Sequence, residues 1–515
     1  MPRSRKDSRF KPYVQNQIMA LPPTFEELIS KDHPVRVVSD VVDRINLDPI
    51  LDQYSGGGAS SYHPRMLLKV WVYAYMVNNL SSRKVEEALT NNIHYMWLSG
   101  MQRPDHNTLA RFRSGQLKET FFNVFKQVVM LLYQAGHLDL KQAYVDGTKL
   151  EANANRYTFV WAKAIKTNIR RIETQLKELW AYAESTAKEE LEQLQPDHFE
   201  QIDAQKVSDT IEKIDQALAG KPVDKKIKQK LNRVKKDWPK NLIKYDRQKE
   251  ILGGRNSYSK TDTDATFMRM KEDHMKNGQL KPGYNWQIST SNQFVTHYSI
   301  HPNPTDTKTL QPHFDSFQKQ YGQLPKTVIA DSGYGSEQNY AWFEQNQIDE
   351  YVKYNYFHKE LSGQKYKKYP FHQDLLHYNA EKDEYICPSG QPMHKVRVKQ
   401  ETTERGYKKE VHEYRAQNCQ GCPMRGPCHK GKGNRKIEVN HTLNKMKRNA
   451  RQKLTSPEGL YHRSQRPVQV EAVFGNIKQN YGFRRLNLRG AKKVEIEAGL
   501  AAIAHNLRKL AKLRQ

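Results

Sequence analysis

The sequence predicts an α/β protein: a core of strands and flanking helices, interrupted twice and preceded by an all-helical segment. Two observations carry that expectation. Short apolar runs of strand type recur at 142–152, 265–270, 284–290, 294–300 and 327–330, whereas the segments before the first run and after the last show helical spacing. Strands accompanied by helices in this order define a mixed α/β core.

The elements follow in chain order. The basic stretch 1–22 reads as a tail. Over 23–135, Val37 to Ile45 forms an apolar stripe, and Pro64 opens a buried-type helix as a first-position proline can. Ser81 or Ser82 caps the next helix and Asp105 a third, with Phe121 to Leu132 as a fourth. Core pieces are expected at 136–158, 256–350 and 446–515. A charged helical insertion, read as a hairpin, occupies 159–255, and a basic, aromatic, turn-rich insertion with all four cysteines occupies 351–445. Pro467 is read as opening a helix, and a last helix is expected from about Val494 to Leu513.

The 515 residues allow two to four domains. Lys and Arg total 84 against 56 Asp and Glu, a net charge of +28, and such a field attracts polyanions. No apolar run approaches a membrane span, and the basic start lacks the apolar stretch of a signal peptide. A cytoplasmic, nucleoid-associated protein is expected. Arg111 and Arg113 sit at polar positions of the helical segment and are read as DNA contacts.

Three carboxylates carry the chemical reading. Asp146 interrupts the strand pattern of Tyr144-Val145 and Gly147-Thr148, where a charge is costly unless paired or bound to metal. Asp331 ends an apolar strand and precedes a Gly-rich turn and a helix, a place where α/β sheets bind ligands. Glu471 lies on a helix with Lys478 seven residues on, along one face. Hard divalent cations take carboxylate oxygens, and a metal pair can drive phosphodiester displacement. A strand aspartate, a strand-end aspartate and a late helical glutamate are the layout expected of an RNase H-like nuclease core. Glu151, Asp262, Asp264 and Asp306 are weaker candidates, because turns and caps favour aspartate.

Cys387, Cys419, Cys422 and Cys428 form a second constellation. Cys387-Pro388-Ser389-Gly390 is a knuckle-like turn and Cys419 to Cys422 a Cys-x-x-Cys half-site, which suits structural Zn²⁺, with His394 and His429 as substitute ligands. Reduced free thiols, or a disulfide in an unexpected compartment, are the alternatives.

Four blocks in order make the chain resemble bacterial insertion-sequence transposases of the DDE class. They are the helical stretch with Tyr62-His63-Pro64-Arg65 and Asp105-His106-Asn107-Thr108; Tyr144-Val145-Asp146-Gly147-Thr148; Ile329-Ala330-Asp331-Ser332-Gly333-Tyr334; and Val470-Glu471-Ala472-Val473-Phe474-Gly475-Asn476-Ile477-Lys478. The resemblance implies an RNase H-like core, Mg²⁺ or Mn²⁺, cleavage at transposon ends with strand transfer, and a synaptic complex, here expected as a homodimer. One branch carries an arginine four residues before the glutamate. Here Pro467 stands at that position and Arg466 one residue earlier, so Arg466 is expected just outside the helix, where it meets a phosphate together with Lys478; Arg463 is a further DNA-binding candidate. Two other readings stand beside this one: a nuclease of the same fold that does not join DNA, and a transposase-derived DNA-binding protein with an inactive core.

Overall fold

A computed structural model describes residues 24–54, 61–189, 199, 202–270 and 278–514. The expected tail over 1–22 lies outside them.

The centre is a six-stranded mixed sheet. Its strands are β1 (Gln142–Glu151), β4 (Thr266–Arg269), β5 (Leu280–Ser291), β6 (Phe294–His301), β7 (Thr327–Ala330) and β8 (Asp349–Val352). β2 (Phe159–Trp161) and β3 (Ser257–Ser259) pair separately with each other. β1 is central, antiparallel to β5 and parallel to β7, which is parallel to β8; β5 also pairs with β4 and β6. The strand β8 extends to Val352, just past the boundary expected at 350. Asn292 and Gln293 both take positive φ, the geometry of a tight β5–β6 hairpin whose twist matches its strands.

Helices Pro34–Asp43, Pro64–Met76 and Phe121–Gln134 precede β1, and the Ala491–Leu513 helix closes the chain. Pro64 stands at the first turn as expected, and Asp105 caps the helix His106–Arg111 by accepting from Thr108 N at 2.7 Å. The buried apolar side chains of these helices and of the sheet form one contiguous core. The last helix is seated closely on β6. A Cβ on Gly499 would lie 2.3 Å from the Tyr298 hydroxyl, so only glycine admits this approach. Asn506, fully buried, satisfies both Val295 backbone groups, donating from Nδ2 at 2.8 Å and accepting at Oδ1 at 2.7 Å. It thereby covers part of an edge strand that would otherwise leave polar groups orphaned.

Between β2 and β3 lie the helices Ala162–Thr186, Ala204–Ala217 and Lys225–Leu252, packed around their own apolar cluster of Leu176, Leu179, Ile211, Ile214 and Val234. Three described helices therefore stand where a hairpin was expected. Beyond β8, the segment read as turn-rich is a five-stranded antiparallel sheet: β9 (His377–Asn379), β10 (Glu384–Ile386), β11 (Pro392–Thr402), β12 (Lys408–Ala416) and β13 (Lys436–Val439). The outer face of β11 is largely exposed and charged, which hides its alternation from a hydrophobic reading. No helix among the described residues is long and apolar enough to cross a membrane.

Histidines buried around β6 make the fold acid-sensitive. Burial pushes His297 down to about 3, and His301 and His505 down to about 4. Each is neutral in the fold, whereas the unfolded imidazole takes a proton below about 6.5. Their lowered pKa values make the unfolded state bind more protons as pH falls, so stability is complete above about pH 6.5 and is lost from there toward pH 4. At pH 5 each contributes a loss of about 1–2 kcal/mol. Thermal melts at pH 7.5 and 5 should show a lower midpoint at pH 5; an unchanged midpoint contradicts the assignment.

Candidate active site

The face of β1 that carries Tyr144, Asp146 and Thr148 is covered by one continuous helical stretch, and each side chain meets one residue of it. The Tyr144 hydroxyl pairs with His462 Nδ1 at 3.1 Å. Asp146 Oδ1 meets Arg466 Nη2 at 3.2 Å. Thr148 Oγ1 accepts from Lys478 Nζ at 3.0 Å. Strand alternation puts 144, 146 and 148 on one face, and the helical stretch runs along it.

That stretch corrects the expectation for Pro467. It begins at Pro457 and continues without a break to Asn480, with π turns over Pro467–Glu471 and Asn476–Asn480. Pro467 therefore sits inside the helix and does not open it. The backbone N–H of Ala472 bonds Pro467 O, five residues back. A π turn holds one extra residue compared with an α turn. Arg466, five residues before Glu471, is thus brought onto the glutamate's face, where a regular α-helix of about 3.6 residues per turn would carry it aside.

Arg466 is consequently buried, with only 5% of its side chain exposed, and does not lie outside the helix. Its Nη2 stands 3.2 Å from Asp146 Oδ1 and 3.9 Å from Asp331 Oδ2, and its Nη1 stands 2.5 Å from Glu471 Oε1. The three carboxylates singled out in the sequence, on β1, at the end of β7 and on the late helix, thus converge on one guanidinium. Asp146 is nearly buried, while the side chains of Asp331 and Glu471 are 44% and 50% exposed. Burial alone would raise the Asp331 carboxyl; Arg466, Lys353 (Nζ at 3.2 Å) and the Ser332 backbone outweigh it and hold it below its ordinary range.

A fourth carboxylate lies beside them. Asp306 Oδ1 accepts from Asn285 Nδ2 at 2.7 Å and Gln287 Nε2 at 3.0 Å. The Tyr334 hydroxyl in turn donates to Gln287 Oε1. Asn285, Gln287 and Tyr334 are all buried, and Asp306 lies against Gly147 and Gly333, the glycines that follow the two aspartates. The polar alternation of Asn285 and Gln287 in a strand was the available signal. The other weaker candidates are occupied structurally: Glu151 pairs with Arg156 and Lys281, and Asp262 and Asp264 bond Gly490 N and Ala491 N at the start of the last helix.

Lys478 is buried, its Nζ also donating to Lys149 O at 3.2 Å, so its side chain is tied to β1. Arg463 lies over the Phe357 ring at 5.0 Å and donates to Leu454 O at 3.3 Å; no contact joins it to the carboxylates. Arg113 is the clear correction. It is buried in the helical segment, donating to Leu80 O and the Tyr75 hydroxyl, with its guanidinium 4.0 Å from the Trp71 ring centroid, and cannot face DNA. Arg111 is exposed.

The four cysteines and His429 line one cavity of about 20 Å³. Gly390 N bonds Cys387 O at 2.9 Å and Arg425 N bonds Cys422 O at 3.0 Å, giving two tight turns. No disulfide is present, and the Ser389 hydroxyl and nearby backbone N–H groups lower the Cys422 thiol. His394 lies elsewhere, paired with Glu384 and Gln417.

Residues 386–511 match the family model described as Transposase DDE domain, and residues 23–115 match that described as Transposase domain (DUF772). The two matches together support an insertion-sequence DDE transposase. The first match contains Glu471, Arg466, Lys478 and the four cysteines; Asp146 and Asp331 lie upstream of it. No curated protein matches the chain. A DDE domain implies an RNase H-like core, with which a mixed sheet centred on β1 is consistent.

Proposed function

We propose that the protein cleaves DNA at the ends of its own element and joins the exposed 3′-hydroxyl to target DNA, with Asp146, Asp331 and Glu471 as the catalytic carboxylates. The observation that carries this reading is their convergence on one buried cation from three elements far apart in the chain. The donor set fits Mg²⁺ or Mn²⁺: all its atoms are hard oxygens, two of the three side chains are half open to solvent, and positive charge is already accommodated there. Bound divalent cations supply an activated nucleophile and stabilise the leaving oxygen of an in-line displacement. Asp146 and Asp331, on the rigid sheet, and Glu471, on the helix, would hold them. Lys478 braces the helix on β1, and the β1–β5–Asp306 amide network fixes the two aspartate turns.

The helical segment 23–135, with Arg111 outward, contacts the DNA, and 159–255 and 351–445 are insertions into an RNase H-like core. Two copies act together in a synaptic complex. Incubation with Mg²⁺, a duplex carrying the flanks of its gene and a supercoiled target should yield joined products; cut ends without joining would make it a nuclease only.

The cysteine cavity is proposed to hold structural Zn²⁺ through Cys387, Cys419, Cys422 and Cys428, whose paired tight turns match tetrahedral thiolate half-sites. Metal analysis should give one zinc per chain. Cys419→Ser/Cys422→Ser should lose it and lower the melting temperature; an unchanged zinc content would refute the assignment.

A further inference from the structure

Arg466 offsets part of the negative charge of the carboxylate site from within. Its guanidinium contacts all three acidic side chains, almost nothing of it reaches solvent, and its Nε has no hydrogen-bond partner among the described residues. Divalent cations held by the same oxygens would stand beside this charge, and like charges at such distance repel strongly in a partly buried site. The guanidinium and the cations therefore compete for one set of oxygens. A displaced arginine next needs an anion, and the phosphates of DNA are the anions of this reaction; planar guanidinium suits phosphate well. The π turn at Pro467 lies directly beside Arg466, and Pro467 itself contributes no N–H to the helical ladder, so the local backbone holds fewer bonds against such a shift.

We infer that Arg466 is the counter-ion of the three carboxylates before cations bind, a positioning residue that couples cation binding to DNA binding by moving from the carboxylates to a DNA phosphate. The inference rests on the proposed catalytic site. Coupling between two ligands is reciprocal: DNA raises the site's affinity for divalent cations, and cations raise its affinity for DNA.

Mn²⁺ binding to the full chain, followed by the electron paramagnetic resonance of free Mn²⁺, tests this without any turnover. For the wild type, affinity should rise at least about fivefold when a duplex carrying the gene's flanks is added. Arg466→Met, which keeps the bulk and removes the charge, should bind Mn²⁺ at least about fivefold more tightly than wild type without DNA, and should gain nothing further from DNA. Arg466→Lys, a cation without the planar fork, should fall between the two and serves as the test if Arg466→Met fails to fold by circular dichroism. Equal or weaker Mn²⁺ binding by these variants without DNA, or an undiminished DNA effect, overturns the inference. Asp146→Asn is the separate control: if it binds Mn²⁺ as the wild type does, the site assignment itself fails.

Discussion

Glu471→Gln, Asp146→Asn and Asp331→Asn are each expected to lower Mg²⁺-dependent DNA cleavage by at least about a thousandfold while leaving DNA binding within a few-fold of wild type. The size follows from the role. Carboxylates that hold the cations contribute several kcal/mol of transition-state stabilisation, and about 1.4 kcal/mol is a factor of ten in rate. Amides keep the shape of these side chains and remove the charge. Asp331→Asn and Glu471→Gln should therefore leave a folded protein, since both side chains are half exposed; for the nearly buried Asp146, circular dichroism of Asp146→Asn checks the fold. Single-turnover cleavage with gel-shift binding checks the pair of outcomes. A variant that still cuts at a tenth of the wild-type rate would remove that residue from the catalytic set.

Gly147→Ala has the second-largest expected effect, for a steric reason. A Cβ there would lie 2.1 Å from Gln287 Nε2 and 2.6 Å from Asp306 Oδ1. Neither can retreat easily, because Gln287 is fully buried and bonds Asn285, Asp306 and Tyr334. Overpacking of this kind costs about 1–3 kcal/mol. The neighbouring Asp146 would shift with β1, and a misplacement of about 1 Å can cost about a hundredfold in rate. Gly115→Ala, whose Cβ meets nothing within 4 Å, is the control and should leave the melting temperature unchanged or slightly raised, since alanine favours a helical turn over glycine. If Gly147→Ala matches that control in both stability and cleavage, the amide network does not fix the site.

How far the site was legible depended on what set each residue's environment. Asp146 and Asp331 were visible because local sequence makes them anomalous: a charge within an apolar strand, and a strand end running into glycines. Glu471 became visible through its companions rather than its helix. Pro467 was misread because proline at a first helical turn is the common case; the π turn that accommodates it depends on the β1 face beneath. Arg113 and Arg466 were misplaced for the same reason as each other. Their partners lie far along the chain: Leu80, Tyr75 and Trp71, 33 to 42 residues away, in one case, and Asp146 and Asp331, more than a hundred residues away, in the other. Spacing alone makes an arginine look solvated. The five-stranded sheet was obscured by its size: only six buried apolar residues form its core.

The most direct measurement is cleavage of a duplex carrying the gene's own flanks, by the purified protein with Mg²⁺, beside Glu471→Gln. Discrete cuts at the element's ends by the wild type, absent for the variant and absent for both in a chelator, are the predicted result. Equal cleavage by both proteins, or cleavage that survives removal of divalent cations, would contradict the carboxylate site.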